Sequence, residues 1–162
     1  MSANDDRLPD RIVIHKSSGY DKAELEGVNE AADKRGVRFR DLLTLGKSNV
    51  RLFRHGAYPP LRGTHVILDE STSVLYTRGS VAYYRKYPGP YVPRAVQIRY
   101  FQTDRNQSEL AGEVLALTKL NWNKTQFDSL YPITLAGSRR IGEIYQWCPD
   151  PPNEPMTYAF FM

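Results

Sequence analysis

The sequence predicts an α/β domain, with a mixed sheet and flanking helices. Short apolar segments bounded by turn residues indicate strands, and three segments with a 3.6-residue apolar repeat indicate helices. Strands and helices follow one another in mixed order, with a run of strands in the middle of the chain. With 162 residues, 41% of them hydrophobic, the chain is long enough to bury the core of one domain.

Local signals define the individual elements. A short strand is predicted over residues 11–16, and a helix over about 21–35 begins at the capping pair Asp21 and Glu24 and ends at Gly36. Further strands are predicted at 41–45, 49–53, 65–69, 73–79 and 95–101, with a Gly-Lys-Ser turn after the first and a hairpin turn at 70–72. Two helices follow, at about 107–120 and 132–147.

The last two helices each have an apolar face that we expect to be buried. The first contributes Leu110, Ala111, Val114, Leu115 and Leu117. The second contributes Ile133, Ala136, Gly137, Ile141 and Ile144.

Composition excludes several classes of protein. The chain has no run of 18 apolar residues, which excludes a transmembrane span, and its polar, acidic start differs from a signal peptide. Its one cysteine, Cys148, excludes an internal disulfide and a cysteine-based zinc site. We therefore expect a cytoplasmic protein with no membrane partner. Residues 1–10 are predicted to be a disordered or linker segment, and 148–162 a proline-rich tail that ends in apolar residues.

Positive charge is concentrated in the middle of the chain. Residues 34–105 contain fourteen Lys or Arg against four Asp or Glu, whereas the whole chain has a net charge of only +4. Such a region favours a polyanionic partner, because each cation that meets a phosphate releases counterions. A basic solvated surface with no partner accounts for the charge equally well.

Six segments then occur together in one order. They are RIVIHKSS, NVRLF, YPPLRGT, LYTRGSVAYY, YPGPYVPRAVQI and ALTKLNWNKTQFDSLYPITLAGSRRIGEI. Together, from Arg11 to Trp147, they resemble the C-terminal part of the PIWI domain of prokaryotic Argonaute proteins. The resemblance implies a ribonuclease-H-like PIWI fold that is incomplete at its N-terminal side, without the first strands of the sheet or the preceding MID domain.

This incompleteness leaves three explanations open. The chain is one part of a split protein completed by an upstream MID-containing chain, the product of a truncated or degenerate gene, or a fragment of a longer chain.

The resemblance also implies where catalytic metals would bind. In active members, four residues, mostly acidic, hold two divalent metal ions that activate water. Two of those positions fall in this chain, at Ser17 after the first strand and at Gly137 on the last helix. A serine hydroxyl is a poor ligand for a hard cation, and glycine offers none. We therefore expect no enzyme activity and no catalytic metal. The alternatives are a metal-dependent guided endonuclease completed by a partner chain, and a remnant with no activity.

The same family holds a guide strand and its complementary target through their sugar–phosphate backbones. The resemblance assigns this contact to Arg51, Arg78, Asn121 and Asn123, to Arg94 close to another such position, and to a rim of Thr134, Arg139 and Arg140. The alternatives are that Arg51 faces solvent, that the two asparagines cap the preceding helix, and that one of Arg139 and Arg140 points into water. Guide and target are RNA or DNA, and a complete protein can also hold Mg²⁺ at the guide 5′ phosphate. The expected function is nuclease-inactive guided recognition of invading nucleic acid, together with a separate effector protein.

Overall fold

The computed structural model describes residues 8–53, 55–56, 59–81, 93–120 and 129–147. In this part of the chain, five strands form one sheet in the order β1-β2-β5-β4-β3, accompanied by three helices. The elements are β1 Arg11–Lys16, α1 Lys22–Lys34, β2 Phe39–Lys47, β3 His65–Asp69, β4 Thr72–Leu75, β5 Val96–Gln102, α2 Gln107–Leu117 and α3 Ile133–Trp147. None of these helices is long and apolar enough to cross a bilayer.

Strand direction determines which loops lie together. β1 runs parallel to β2, whereas β2–β5, β5–β4 and β4–β3 are antiparallel pairs. We call the end of the sheet at which β2 finishes the top end, and the end at which β2 begins the bottom end. At the top end lie the C-terminal ends of β1, β2 and β4 and the N-terminal ends of β3 and β5.

The main core lies on the sheet face covered by α2 and α3. Its buried residues are Leu43, Leu45, Leu75, Val96, Ile98, Tyr100, Leu110, Ala111, Val114 and Leu135. The predicted inner face of α2 is confirmed at Leu110, Ala111 and Val114. The prediction for α3 was wrong at Ile144, which is exposed, whereas Leu135 is buried. The physical reason is that only the first half of α3 packs on the sheet, since every residue from 142 to 147 is exposed.

Helix α1 lies on the opposite face and begins as the sequence predicts. The Asp21 carboxylate accepts a hydrogen bond from the Glu24 backbone N–H at 2.8 Å, and the Glu24 carboxylate accepts one from the Asp21 N–H at 3.0 Å. This capping box satisfies donors that the first helical turn leaves unpaired. Gly36, with φ of +72°, follows the helix in the left-handed conformation that glycine adopts most readily.

The strand predicted at 49–53 was wrong. β2 continues through Gly46 and Lys47, and the following residues are irregular. Two of their backbone donors bond to side chains instead of to a neighbouring strand. The Val50 N–H bonds to Ser48 Oγ at 3.0 Å, and the Leu52 N–H bonds to the Tyr76 hydroxyl at 2.9 Å.

Two other elements end earlier than predicted. β4 stops at Leu75 instead of residue 79, because residues 77–80 turn against the segment 59–62. There a Cβ on Gly79 would lie 2.5 Å from the Pro60 carbonyl oxygen, so only glycine fits without a shift of the backbone. α2 stops at Leu117 instead of residue 120, and Thr118 is its C-cap residue.

A buried carboxylate joins four segments at the bottom end. Asp41, in β2, is 0% exposed and accepts a 2.6 Å bond from Arg11 Nε and a 2.9 Å bond from the Asp104 backbone N–H. The same arginine donates two bonds, of 2.7 and 2.8 Å, to the Glu113 carboxylate of α2. These bonds, Glu113 foremost, raise the pKa of Arg11 above its ordinary value. The network therefore ties β1, β2, α2 and the end of β5 together.

We predict that Asp41→Ala destabilises the chain by about 3–5 kcal/mol, because it leaves a partly buried arginine and backbone donors without their partner. Urea unfolding followed by circular dichroism measures the loss. The matched control is Glu109→Ala, which removes the half-exposed 3.6 Å pair with Arg105 and is expected to cost less than about 1 kcal/mol. Equal losses in the two variants would show that the Asp41 network does not stabilise the fold.

Candidate nucleic-acid interface

The top end of the sheet brings together residues that are far apart in the sequence. Ser17 follows β1, Arg51 follows β2, Arg78 follows β4, and Arg94 lies two residues before β5. Because these strand ends share one edge of the sheet, four of the predicted site positions lie along it. The described parts of the protein thus present one candidate surface, which we call the top-end surface and which consists of the loops at 17–20, 48–53, 77–80 and 93–95.

The loop after β1 is closed by the protein's own polar groups. The Lys16 ammonium forms an ion pair with Glu24 of α1, a bond that lowers the pKa of this carboxyl group, and donates a 3.0 Å bond to the Gly19 carbonyl. Thr44 Oγ1 donates to the Ser18 carbonyl at 3.0 Å. Ser17 itself is exposed at the tip of the loop.

The first turn of α3 lies against the end of β1. His15 Nδ1 and Thr134 Oγ1 are 2.8 Å apart, which joins the two elements by a hydrogen bond. Gly137 is buried less than one turn further along α3. The elements that carry Ser17 and Gly137 are therefore in direct contact. Burial lowers the pKa of His15 below its ordinary value of 6.5, so the imidazole favours its neutral form.

These residues do not fit the pair of catalytic metals that the resemblance to PIWI domains implies. A hydroxyl and a glycine occupy the two matched positions, and the neighbouring Lys16 side chain carries a positive charge. Among the described residues, no three His, Cys, Asp or Glu side chains lie close enough to hold a metal ion.

Arg51 is positioned by the irregular segment that replaces the predicted strand. Its guanidinium donates to the Ser48 carbonyl at 3.2 Å, and the side chain is half-buried. Ser48 is held in turn, because its N–H donates to the Ala95 carbonyl at 3.0 Å. Arg51 therefore lies beside the start of β5. The exposed Arg94 precedes this strand by two residues.

The loop after β4 is fixed between two other segments. Thr77 Oγ1 donates to the Leu130 carbonyl at 2.8 Å, and Ser80 Oγ donates to the Pro59 carbonyl at 2.7 Å. Arg78, half-buried, lies between these two anchors. Nearby, Arg62 donates to Thr118 Oγ1 at 2.9 Å, which adds a cation that the sequence reasoning did not assign to the site.

The two arginines of α3 have different environments. The Arg139 guanidinium lies 4.3 Å from the ring centroid of Tyr131, in a cation–π contact between the guanidinium and the ring. Arg140 is exposed and pairs with Glu143 at 3.2 Å. Asn121 and Asn123, also predicted to bind nucleic acid, lie outside the described residues.

Charge at the bottom end of the sheet is organised differently. Three of its arginines are paired with acids, in the pairs Arg38–Asp10, Arg40–Asp33 and Arg105–Glu109. Asp69 and Glu70 add negative charge at the same end, where β3 stops. The basic middle of the sequence is thus divided by the fold, and three of its arginines at the bottom end are paired with acids.

Two cations and one aromatic residue of the top end were missed by sequence reasoning. Lys47 is exposed at the end of β2, Arg62 lies beside α2, and Phe53 extends from the irregular segment. The motif YPPLRGT contains Arg62, but only the contact between residues 59–62 and 77–80 shows that it belongs to this surface.

Lowering the pH from about 7 to about 5 is expected to destabilise the chain, and His15→Asn should reduce this dependence. The unfolded chain binds a proton at the ordinary pKa of 6.5, whereas burial lowers the pKa of His15 in the folded state. The stability due to neutral His15 is therefore fully present above pH 6.5 and is lost as the pH falls below it.

Urea unfolding at a series of pH values measures this effect. The control is His55→Asn, which replaces an exposed imidazole and should leave the wild-type dependence unchanged. A His15→Asn variant with the same pH dependence as the wild type would refute the prediction.

Comparison with known proteins places this fold among Argonaute structures. The chain is similar to a crystal structure of Aa-Ago with externally bound siRNA, with 22% identity, a TM-score of 0.65, and 90% of this chain and 19% of that chain covered. It is similar to Clostridium butyricum Argonaute bound to a guide DNA and a 19-mer target DNA, with 19% identity, a TM-score of 0.70, and coverage of 88% and 18%. A crystal structure of A. aeolicus Argonaute matches with 22% identity, a TM-score of 0.62, and coverage of 80% and 17%.

These likenesses concern the fold. They confirm the predicted α/β class, a five-stranded mixed sheet with flanking helices that matches the ribonuclease-H-like fold of Argonautes. No family model and no curated protein matches the sequence. The chain spans about a fifth of the length of each Argonaute that it matches.

Proposed function

We infer that this chain binds a guide strand and its complementary target as the C-terminal part of a PIWI domain in a prokaryotic Argonaute. The observation that carries this inference is the top-end surface, where the fold gathers Arg51, Arg78 and Arg94 from three separate segments. Cations arranged along one edge fit the repeating phosphates of a nucleic-acid backbone. The paired charges at the bottom end offer no comparable surface.

In the proposed function, binding occurs without cleavage. Ser17 and Gly137 offer no carboxylate, and two divalent cations in one site need several carboxylates to offset their charge. Guided recognition of invading nucleic acid then requires a separate effector protein to act once the target is bound. Any Mg²⁺ at a guide 5′ phosphate would be held by the complete protein.

A second part of the proposal is an upstream partner, a MID-containing chain or segment that adds a strand to β1. Among the described residues, β1 is paired on one side only. The Asp10 carbonyl accepts a bond from the Phe39 N–H of β2 at 3.0 Å. In a parallel ladder, successive residues of a strand direct their backbone groups to alternate sides. The N–H groups of Val13 and His15 therefore point away from β2, to the open side. An apolar, parallel strand at an open edge is an attachment site for another strand.

Helix α3 supports the same partner. Its first turn contacts β1 through His15 and Thr134, and its second half carries the exposed residues Tyr145 and Trp147. An added strand beside β1 would lie next to the helix that carries this exposed half. The partner would therefore bury apolar surface as well as form backbone hydrogen bonds.

Arg51→Ala and Arg94→Ala are each expected to weaken binding to a guide–target duplex. Each should also reduce the slope of log affinity against log salt by about 1, because each removes one phosphate contact. Fluorescence anisotropy with a labelled, 5′-phosphorylated duplex between about 50 and 200 mM salt measures both quantities. The experiment uses RNA and DNA versions of both strands.

The matched control is Arg105→Ala, which removes a half-exposed arginine at the bottom end and should leave the slope unchanged. Equal slopes for all four proteins would contradict the assigned surface. Magnesium-dependent cleavage of the target in the same reactions would contradict the nuclease-inactive part of the proposal.

Hydrogen exchange tests the upstream partner. In the chain alone, the amides of Val13 and His15 should exchange rapidly, and a complex with the chain encoded directly upstream should protect them. The amides of Ile12 and Ile14, which face β2, provide an internal control because they should be protected in both samples. Unchanged exchange at Val13 and His15 in the complex would refute strand addition.

A further inference from the structure

Phe53 is an aromatic side chain held in solvent. It is 96% exposed, more than any other large hydrophobic side chain in the described part of the protein. Single exposed apolar residues are common and carry no meaning by themselves. What distinguishes Phe53 is that its backbone is anchored and that its neighbours are cations.

The anchoring comes from the residue before it. The Leu52 N–H donates to the hydroxyl of Tyr76, which is completely buried, and the Leu52 side chain packs on Val74, Tyr76 and Ala95. Ser48 fixes the other end of the segment through its bond to the Ala95 carbonyl. The segment is therefore attached to the sheet at both ends, and it presents Phe53 outward from a defined position.

The surroundings are basic. Arg51 lies two residues before Phe53, and Lys47 and Arg94 are exposed at the same end of the sheet. An apolar protein surface that covered Phe53 would have to remove water from these cations without compensation. A nucleic acid offers a flat base for the ring and phosphates for the cations, so its chemistry matches both features.

We propose that Phe53 stacks on a nucleobase of the strand whose phosphates contact the top-end surface. This proposal rests on the proposed function and adds the form of nucleic acid that the surface prefers. The face of a base is accessible in a single strand or at the end of a duplex, but not inside a duplex. The surface therefore binds a strand with an unpaired base beside Phe53.

The test compares Phe53→Ala with the wild-type chain on two probes, a short single-stranded oligonucleotide and a long blunt-ended duplex. Phe53→Ala should weaken single-strand binding by about tenfold, within the range of base–aromatic stacking, and should change duplex binding far less. Phe53→Trp should retain single-strand affinity. The fluorescence of an oligonucleotide carrying 2-aminopurine should be quenched when it binds the wild-type chain. This quenching should be lost in the complex with Phe53→Ala.

The matched control is Phe39→Ala. Phe39 is 45% exposed and lies beside the guanidinium of Arg38, so it also combines an exposed ring with a cation. Because Phe39 lies at the bottom end, its removal should not affect binding. Far-UV circular dichroism verifies that each variant is folded.

The possible results separate this inference from the function on which it rests. Equal single-strand binding by wild type and Phe53→Ala would overturn base stacking and leave the proposed function intact. An equal loss on both probes would also overturn it, as would a loss of binding to the upstream chain with oligonucleotide binding unchanged. Failure of the wild type to bind any probe would overturn both proposals.

Discussion

The antiparallel pairing of β2 with β5 is the interaction on which the rest of the structure depends. β2 carries five consecutive buried residues, 41–45, and lies between the parallel strand β1 and the antiparallel strand β5. The pairing aligns Lys47 with Val96, and Val96 in turn faces Leu75 of β4. This register brings the end of β2, the start of β5 and the end of β4 to one level. A candidate site built from these three segments exists only while the register is kept.

The two ends of this sheet hold charge in different ways. At the bottom end, Asp41 is buried, and its carboxylate is satisfied by Arg11 and by backbone donors. A buried charge of this kind is stable only when its partners are fixed, which ties the position of α2 to that of β1. At the top end, the cations lie on loops at the surface. The bottom end therefore ties elements of the fold together, and the top end is where the proposed function places the polyanion.

Local patterns in the sequence predict much of this fold. The capping pair Asp21 and Glu24, and the apolar spacing of Leu110 and Val114, are interactions within one element, so the sequence alone identifies them. The irregular course of residues 49–53 depends on the Tyr76 hydroxyl, which is distant in the sequence. Ile144 is exposed because α3 extends past the sheet, and no periodicity within the helix reveals where the sheet ends.

The candidate site was predictable to a smaller extent. Fourteen cations between residues 34 and 105 fit a polyanion partner and a solvated basic surface equally well, and the sequence does not divide them between the two ends. Pairing does so, because Arg38, Arg40 and Arg105 meet acids at the bottom end. Family resemblance supplied Arg51 and Arg94, whereas Phe53 became a candidate only once its exposure and anchoring were known.

The residues at the two matched metal positions also affect binding. Clustered carboxylates repel one another and any nearby phosphate unless metal ions neutralise them. With Ser17 and Gly137 in their place, the top end carries less negative charge, and the loop after β1 is held by Lys16, Thr44 and Glu24 without a metal. In the proposed function, a surface of this kind is expected to attract phosphates whether or not divalent ions are present. In the proposed function, the residues Ser17 and Gly137 therefore favour target binding as well as disfavour cleavage.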